Sequence, residues 1–163
     1  VNALEDLGFT CDVTYPMYFY REQFEPYHPS RADWTQKGDS KMLEVPNFAD
    51  MVMETKDPGL ERDRDQWPLF RTEGGEYLLE RSKAYLDFCD HKGVARVLAY
   101  YIHPWEFWPM QKSYNFGEAT VIPEDFITVN CGQKALDELE KVIDGLKEIG
   151  SQFVTAQDLT RIF

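Results

Sequence analysis

A chain of 163 residues is long enough for one domain with a sizeable core, and 43% hydrophobic with 15% aromatic residues marks it as globular and not disordered. Seventeen Lys and Arg against 29 Asp and Glu leave a net charge of -12, which repels phosphate backbones and anionic lipid, so neither nucleic acid nor membrane is an expected partner. No apolar run reaches the roughly 18 to 20 residues that span a bilayer, and the opening VNALEDLGF reads as a helix end, not as a signal peptide.

Residues 1–7 have the pattern of closing helical turns, with Gly8 where a left-handed residue is wanted. FTCDVT at 9–14 reads as a short strand that Tyr15-Pro16 ends. Asp12 is embedded in it and must face a polar cavity or meet a partner. Residues 17–40 are aromatic, proline-bearing and without period, which predicts a long loop with at most short helical turns. His28 lies in that loop with no second ligand at metal spacing and is expected at the surface. KMLEV at 41–45 reads as a second strand before Pro46. The ERDRD cluster at 61–65 is expected on a solvated face, and Trp67-Pro68 either packs on a rim or lines a groove.

After Gly74-Gly75 the spacing predicts a helix over 76–91, with Leu78, Tyr85 and Cys89 on one side and Gly93 after its end. The run from Val94 to Ile102 is almost wholly apolar, the pattern of a strand buried on both faces of a parallel sheet. His103-Pro104 stops it, because proline has no amide hydrogen for a neighbouring strand. The C-terminal end of such a strand is where parallel barrels carry catalysis. A half-buried histidine beside a tryptophan plug is the competing reading, and position alone leaves both open. Residues 109–125 read as an irregular lid over that edge. A second helix is predicted over 133–149, with Leu136, Leu139, Val142, Ile143, Leu146 and Ile149 facing a core, Asn130 as a nearby cap and Gly150 as the stop. Residues 152–154 read as a last strand, and Thr155 with Asp158 as the cap of a last turn. Cys11, Cys89 and Cys131 are far apart and odd in number, so free thiols are expected, with a lean toward a reducing, cytoplasmic compartment.

In this order LGFTCDVTYP, MLEVPN, GGEYLL, YYIHPWEF, a long amphipathic helix and GSQFVTAQDL resemble the C-terminal half of the polysaccharide deacetylase family, which carries the NodB homology domain. YYIHPWE at 100–106 is the most specific piece. The resemblance implies an α/β fold, the C-terminal half of a distorted (β/α) barrel, with residues 1–163 forming part of one domain. It also implies a metal-dependent hydrolase that removes acetyl groups from N-acetylated sugars. In that family an Asp and two His hold a divalent ion, zinc or similar, and another Asp acts as base. Carried over, His103 is the general acid, and Trp105 shapes the pocket for the acetyl methyl. Asp12 is a second-shell group that tunes the histidine, or else a structural residue closing a turn. Tyr15 and Trp108 are candidate sugar contacts, and Glu44 and Glu106 are left as structural.

The TFDD-type motif, the HxxxH ligand pair and the Arg-Pro motif of the family's N-terminal half are not in this sequence. The metal ligands are therefore expected from that half, supplied by the same protein, a separate chain or a second copy, since half a barrel leaves sheet edges open. Two alternatives stand beside the deacetylase: a hydrolase of small non-peptide amides on the same fold, and a non-catalytic carbohydrate-binding or scaffold module.

Overall fold

A computed structural model describes residues 1–20 and 23–163. The chain divides into two compact units, one of Val1–Asp65, Ser82–Tyr100 and Gln152–Phe163, the other of Gln66–Arg81 and Tyr101–Ser151.

The first unit opens with helix α1 (Asn2–Asp6), ended by Gly8 in the left-handed region at φ 86°. Strand β1 (Cys11–Asp12) pairs in parallel with β2 (Leu43–Glu44), Cys11 opposite Leu43 and Asp12 opposite Glu44. The other side of β2 is closed by the long loop, whose Tyr27 exchanges both backbone hydrogen bonds with Glu44, at 3.0 and 2.9 Å. That fold-back leaves His28 half-buried, its Nδ1 3.0 Å from the Met42 carbonyl oxygen. Among its described residues the loop carries a 3-10 turn at Met17–Tyr20.

The core of this unit is Leu43, Val45 and Leu159, with Cys11, Val13, Val97 and Ala99 packed on it. Val97 and Ala99 come from the run predicted as a buried strand, and here the structure differs: 94–102 belongs to no strand. It touches the core by side chains, and the Phe48 amide bonds to the Ala99 carbonyl at 2.8 Å where a ladder is expected. The apolar run records packing on a core and not pairing within a sheet. Residues 152–154 are likewise not a strand, and Phe153 and Val154 are exposed. The last turn is capped as its sequence predicts, Thr155 and Asp158 bonding reciprocally at the start of a short helix, Ala156–Leu159.

The second unit holds α2 (Leu69–Thr72), the N-terminal half of α3 (Gly75–Lys92), a small antiparallel hairpin, α4 (Asp125–Thr128) and α5 (Gln133–Glu148). The hairpin is β3 (Tyr114–Asn115) against β4 (Thr120–Val121), in the stretch read as irregular. Helices α3 and α5 fall within a residue of their predicted ends, but the buried side of α5 is rotated. Ala135, Val142, Gly145 and Leu146 are buried, while Leu136 and Ile149 are 43% and 44% exposed. The reason is close approach through small residues: a Cβ on Gly145 would stand 2.2 Å from Leu79 Cδ2, and one on Gly75 would stand 2.3 Å from the Glu138 carbonyl oxygen. Glu138 also caps α3, accepting from the Gly75 amide at 2.7 Å, and this bond holds its carboxyl below the usual range. Asn130 does not cap α5; it takes φ 56° and donates from Nδ2 to the Arg71 carbonyl in the last turn of α2 at 2.7 Å.

All three cysteines are free thiols. Burial pushes Cys89 and Cys131 up from the ordinary thiol value. Among the described residues no helix is long and apolar enough to cross a membrane.

Candidate functional site

His103 sits where an extended residue (φ -104°, ψ 137°) turns into a 3-10 turn, Pro104–Phe107, started by the proline that fits a first helical position. The turn has half of a reciprocal cap. Glu106 reaches back, its Oε1 accepting from the His103 amide at 2.7 Å. The other half is an approach without a hydrogen bond: the Glu106 amide faces the imidazole but bonds to the His103 carbonyl at 3.1 Å.

Glu106 is fully buried, and three segments of the second unit meet on it. Trp67 Nε1 donates to Oε1 at 2.7 Å, and Arg71 Nε donates to Oε2 at 2.6 Å. Arg71 is 1% exposed. It donates onward from Nη1 to the carbonyls of Phe126, at 3.1 Å, and Val129, at 2.5 Å, and its guanidinium carbon lies 5.5 Å from the Trp105 ring centre. The Glu106 carbonyl in turn accepts from Gly132 at the start of α5, at 2.8 Å. A buried carboxylate needs this many donors and a compensating charge, or burial would be prohibitive.

Around His103 the rings of Tyr101, Trp67 and Trp105 stand at centroid distances of 4.6, 4.9 and 5.3 Å. The side chain is 27% exposed, yet its Nδ1 is buried without a hydrogen-bond partner, 3.4 Å from Glu106 Oε1 and outside bonding geometry. The exposure therefore lies on other atoms of the side chain. Trp105 is half-buried within this group, and Trp108, at the end of the turn, is 73% exposed.

Asp12 and Tyr15 belong to the first unit. Asp12 accepts from the Thr14 hydroxyl and lies in register beside Glu44. Glu44 is fully buried; Tyr20 donates to its Oε2 at 3.1 Å, and its Oε1 has no partner. Burial first, and then the neighbouring Asp12 charge, push the Glu44 carboxyl up to about 7. Tyr15 is 46% exposed and stacks on Trp34, with ring centres 5.6 Å apart, and Phe19, also 46% exposed, stands 5.6 Å from it on a tilt.

Thus His103 and Trp105 come together as their motif suggests. Trp67, Arg71 and Tyr101 were not singled out as site residues by sequence, and Glu106 was read as structural only. The HPWE spacing carried one signal, since an acid three residues after an N-cap position is the cap pattern. Nothing local in the sequence pointed to Arg71.

Among the described residues there is no group of three or more His, Cys, Asp or Glu able to hold a metal ion. These residues offer no ligand set of their own to the divalent ion that the resemblance implies. Comparison of the chain with protein-family models, with curated proteins and with solved structures finds no match.

Proposed function

We propose that this chain is part of a metal-dependent hydrolase that removes N-acetyl groups from a carbohydrate, with His103 as general acid. The observation that carries the reading is the half-exposed imidazole set among three aromatic rings beside a buried carboxylate. An amine leaves poorly unless protonated as its bond to carbon breaks. In the proposed step water adds to the acetyl carbonyl as its proton passes to the base carboxylate of the N-terminal half, the C–N bond breaks with its electron pair going to nitrogen, and that nitrogen takes a proton from His103. Trp105 lines the acetyl methyl's side of this group, and each unit by itself offers an exposed ring as a sugar contact, Trp108 in the second and Tyr15 in the first. The proposed fold is the C-terminal half of a distorted (β/α) barrel, supported by the parallel β1–β2 pair. The divalent ion, zinc or similar, and its ligands belong to the N-terminal half of the domain, on the same or a separate chain. Asp12, with Glu44 as its in-register neighbour, is proposed as supporting rather than reacting.

The test is acetate release from N-acetylglucosamine oligomers with added Zn2+ and the N-terminal half supplied, wild type against His103→Ala. A loss of about a hundredfold or more supports the general acid. Undiminished release removes that role from His103, and no release from the wild type sinks the deacetylase. A second reading, a carbohydrate-binding module, is favoured by the exposed rings of Tyr15 and Phe19 grouped with the half-buried Trp34. Sugar binding without metal, lost in Tyr15→Ala, would support it.

A further inference from the structure

The geometry points to Glu106 as a positioning residue that fixes the tautomer of His103: its carboxylate keeps a proton on Nδ1 and leaves Nε2 as the nitrogen that exchanges protons. The purpose rests on the general-acid reading of His103, but the placement stands on its own.

Glu106 cannot turn away. Its two oxygens are held by Trp67 Nε1, the His103 amide and Arg71 Nε, at 2.7, 2.7 and 2.6 Å. Arg71 supplies the compensating charge. His103 Nδ1 lies 3.4 Å from Oε1. At that distance a lone pair on Nδ1 would face a carboxylate, whereas an N–H would present the positive end of its dipole, and in a buried setting the difference is weakly screened. Oε1 already accepts two hydrogen bonds, so the proton is held by the field of the carboxylate and not as a third donor. The competing influence would be a donor aimed at Nδ1. That donor is the Glu106 amide, which faces the imidazole as in a capping box but bonds to the His103 carbonyl at 3.1 Å and makes no hydrogen bond to Nδ1, so the Glu106 carboxylate opposes a dipole and not a made bond. Solvent does not reach Nδ1 to equalise the two forms. Trp67, Tyr101 and Trp105, the rings beside the imidazole, bring no formal charge, and the Arg71 guanidinium is ion-paired with Glu106. An imidazolium that gives its Nε2 proton to a leaving amine is left with the proton on Nδ1, the form Glu106 favours.

The experiment is a long-range 1H–15N correlation spectrum of the full chain labelled with 15N-histidine, at about pH 8.5, some two units above the ordinary imidazole value. His103 is identified among the three histidines by the signals lost in His103→Gln. The expected wild-type spectrum shows Nδ1 protonated and Nε2 bare, and Glu106→Gln shifts the population toward Nε2–H. A wild-type His103 that is mainly Nε2–H overturns the inference without any variant. So does an unchanged tautomer in folded Glu106→Gln. Should that variant not fold, Glu106→Gln with Arg71→Met removes both charges together and is read in the same way. The deacetylase reading fails separately, by acetate release that His103→Ala leaves intact.

Discussion

Arg71 and Glu106 are both buried and meet through an Nε to Oε2 contact of 2.6 Å, joining α2 to the turn that carries His103. Removing one partner leaves a buried charge uncompensated. Arg71→Met or Glu106→Gln alone should each cost about 3 to 5 kcal/mol, whereas the pair together should cost much less than their sum. What remains in the double variant is the loss of donors to the Phe126 and Val129 carbonyls, about 1 kcal/mol each. Urea denaturation of the four proteins measures this. Strictly additive losses would show that the two side chains are held independently.

Glu44 should make stability fall as pH rises. Its carboxyl stands at about 7 in the folded protein against an ordinary 4.5, so the folded state holds the proton more tightly. The contribution favouring the fold is complete below 4.5, declines between 4.5 and about 7, and is gone above that. The span corresponds to on the order of 3 kcal/mol. Glu44→Gln keeps an oxygen for the Tyr20 hydroxyl and cannot ionise. It should be the more stable protein at about pH 8 and lose this part of the slope. The readout is the difference between the two proteins' urea midpoints from pH 4 to 8, which cancels the other carboxyls; a flat difference would contradict the assignment.

Local patterns were legible where local chemistry decides. The ends of α3, the glycine after α1 and the Thr155 cap follow from residue types within a few positions of one another. The run at 94–102 was not, because an apolar stretch states that burial occurs and not what covers it. Val97 and Ala99 are covered by Leu43, Val45 and Leu159, far away in sequence. The face of α5 was misjudged for a related reason: ranking positions by hydrophobicity favours Leu136 over Gly145, while a close helix contact favours the smaller residue. His103 was found through a motif, but its setting was not, since Arg71 lies 35 residues from Glu106 and only tertiary structure pairs them.

Thr155 should control the acidity of Asp158. Its hydroxyl donates to Asp158 Oδ2 at 2.7 Å and its amide to the same oxygen at 3.1 Å, and the two hold the carboxyl below the ordinary 3.8. In Thr155→Ala the stronger influence disappears and the backbone one stays, so the Asp158 carboxyl should rise part of the way back. Carboxyl 13C shifts followed through an acid titration test this directly. No change would mean that the hydroxyl is turned elsewhere in solution.

Gly75 and Gly145 should differ in what they tolerate, although each sits where an added Cβ would clash. At Gly145 the obstacle is the end of the Leu79 side chain, 2.2 Å from the ideal Cβ, which can change rotamer; alanine also favours a helix interior by roughly 0.5 to 1 kcal/mol. At Gly75 the obstacle is the backbone carbonyl oxygen of Glu138 at 2.3 Å, and relief requires α3 and α5 to separate. Separation also stretches the bond from the Gly75 amide to Glu138. Gly75→Ala should therefore cost about 1 to 3 kcal/mol or more, and Gly145→Ala less. Leu79→Ala clears the space at Gly145, so combining it with Gly145→Ala should cost less than the two separate losses summed, while it brings no such relief to Gly75→Ala. Urea midpoints of the five variants decide it. A larger loss at Gly145 than at Gly75 would mean that side-chain packing, and not the backbone contact, limits how near the helices come.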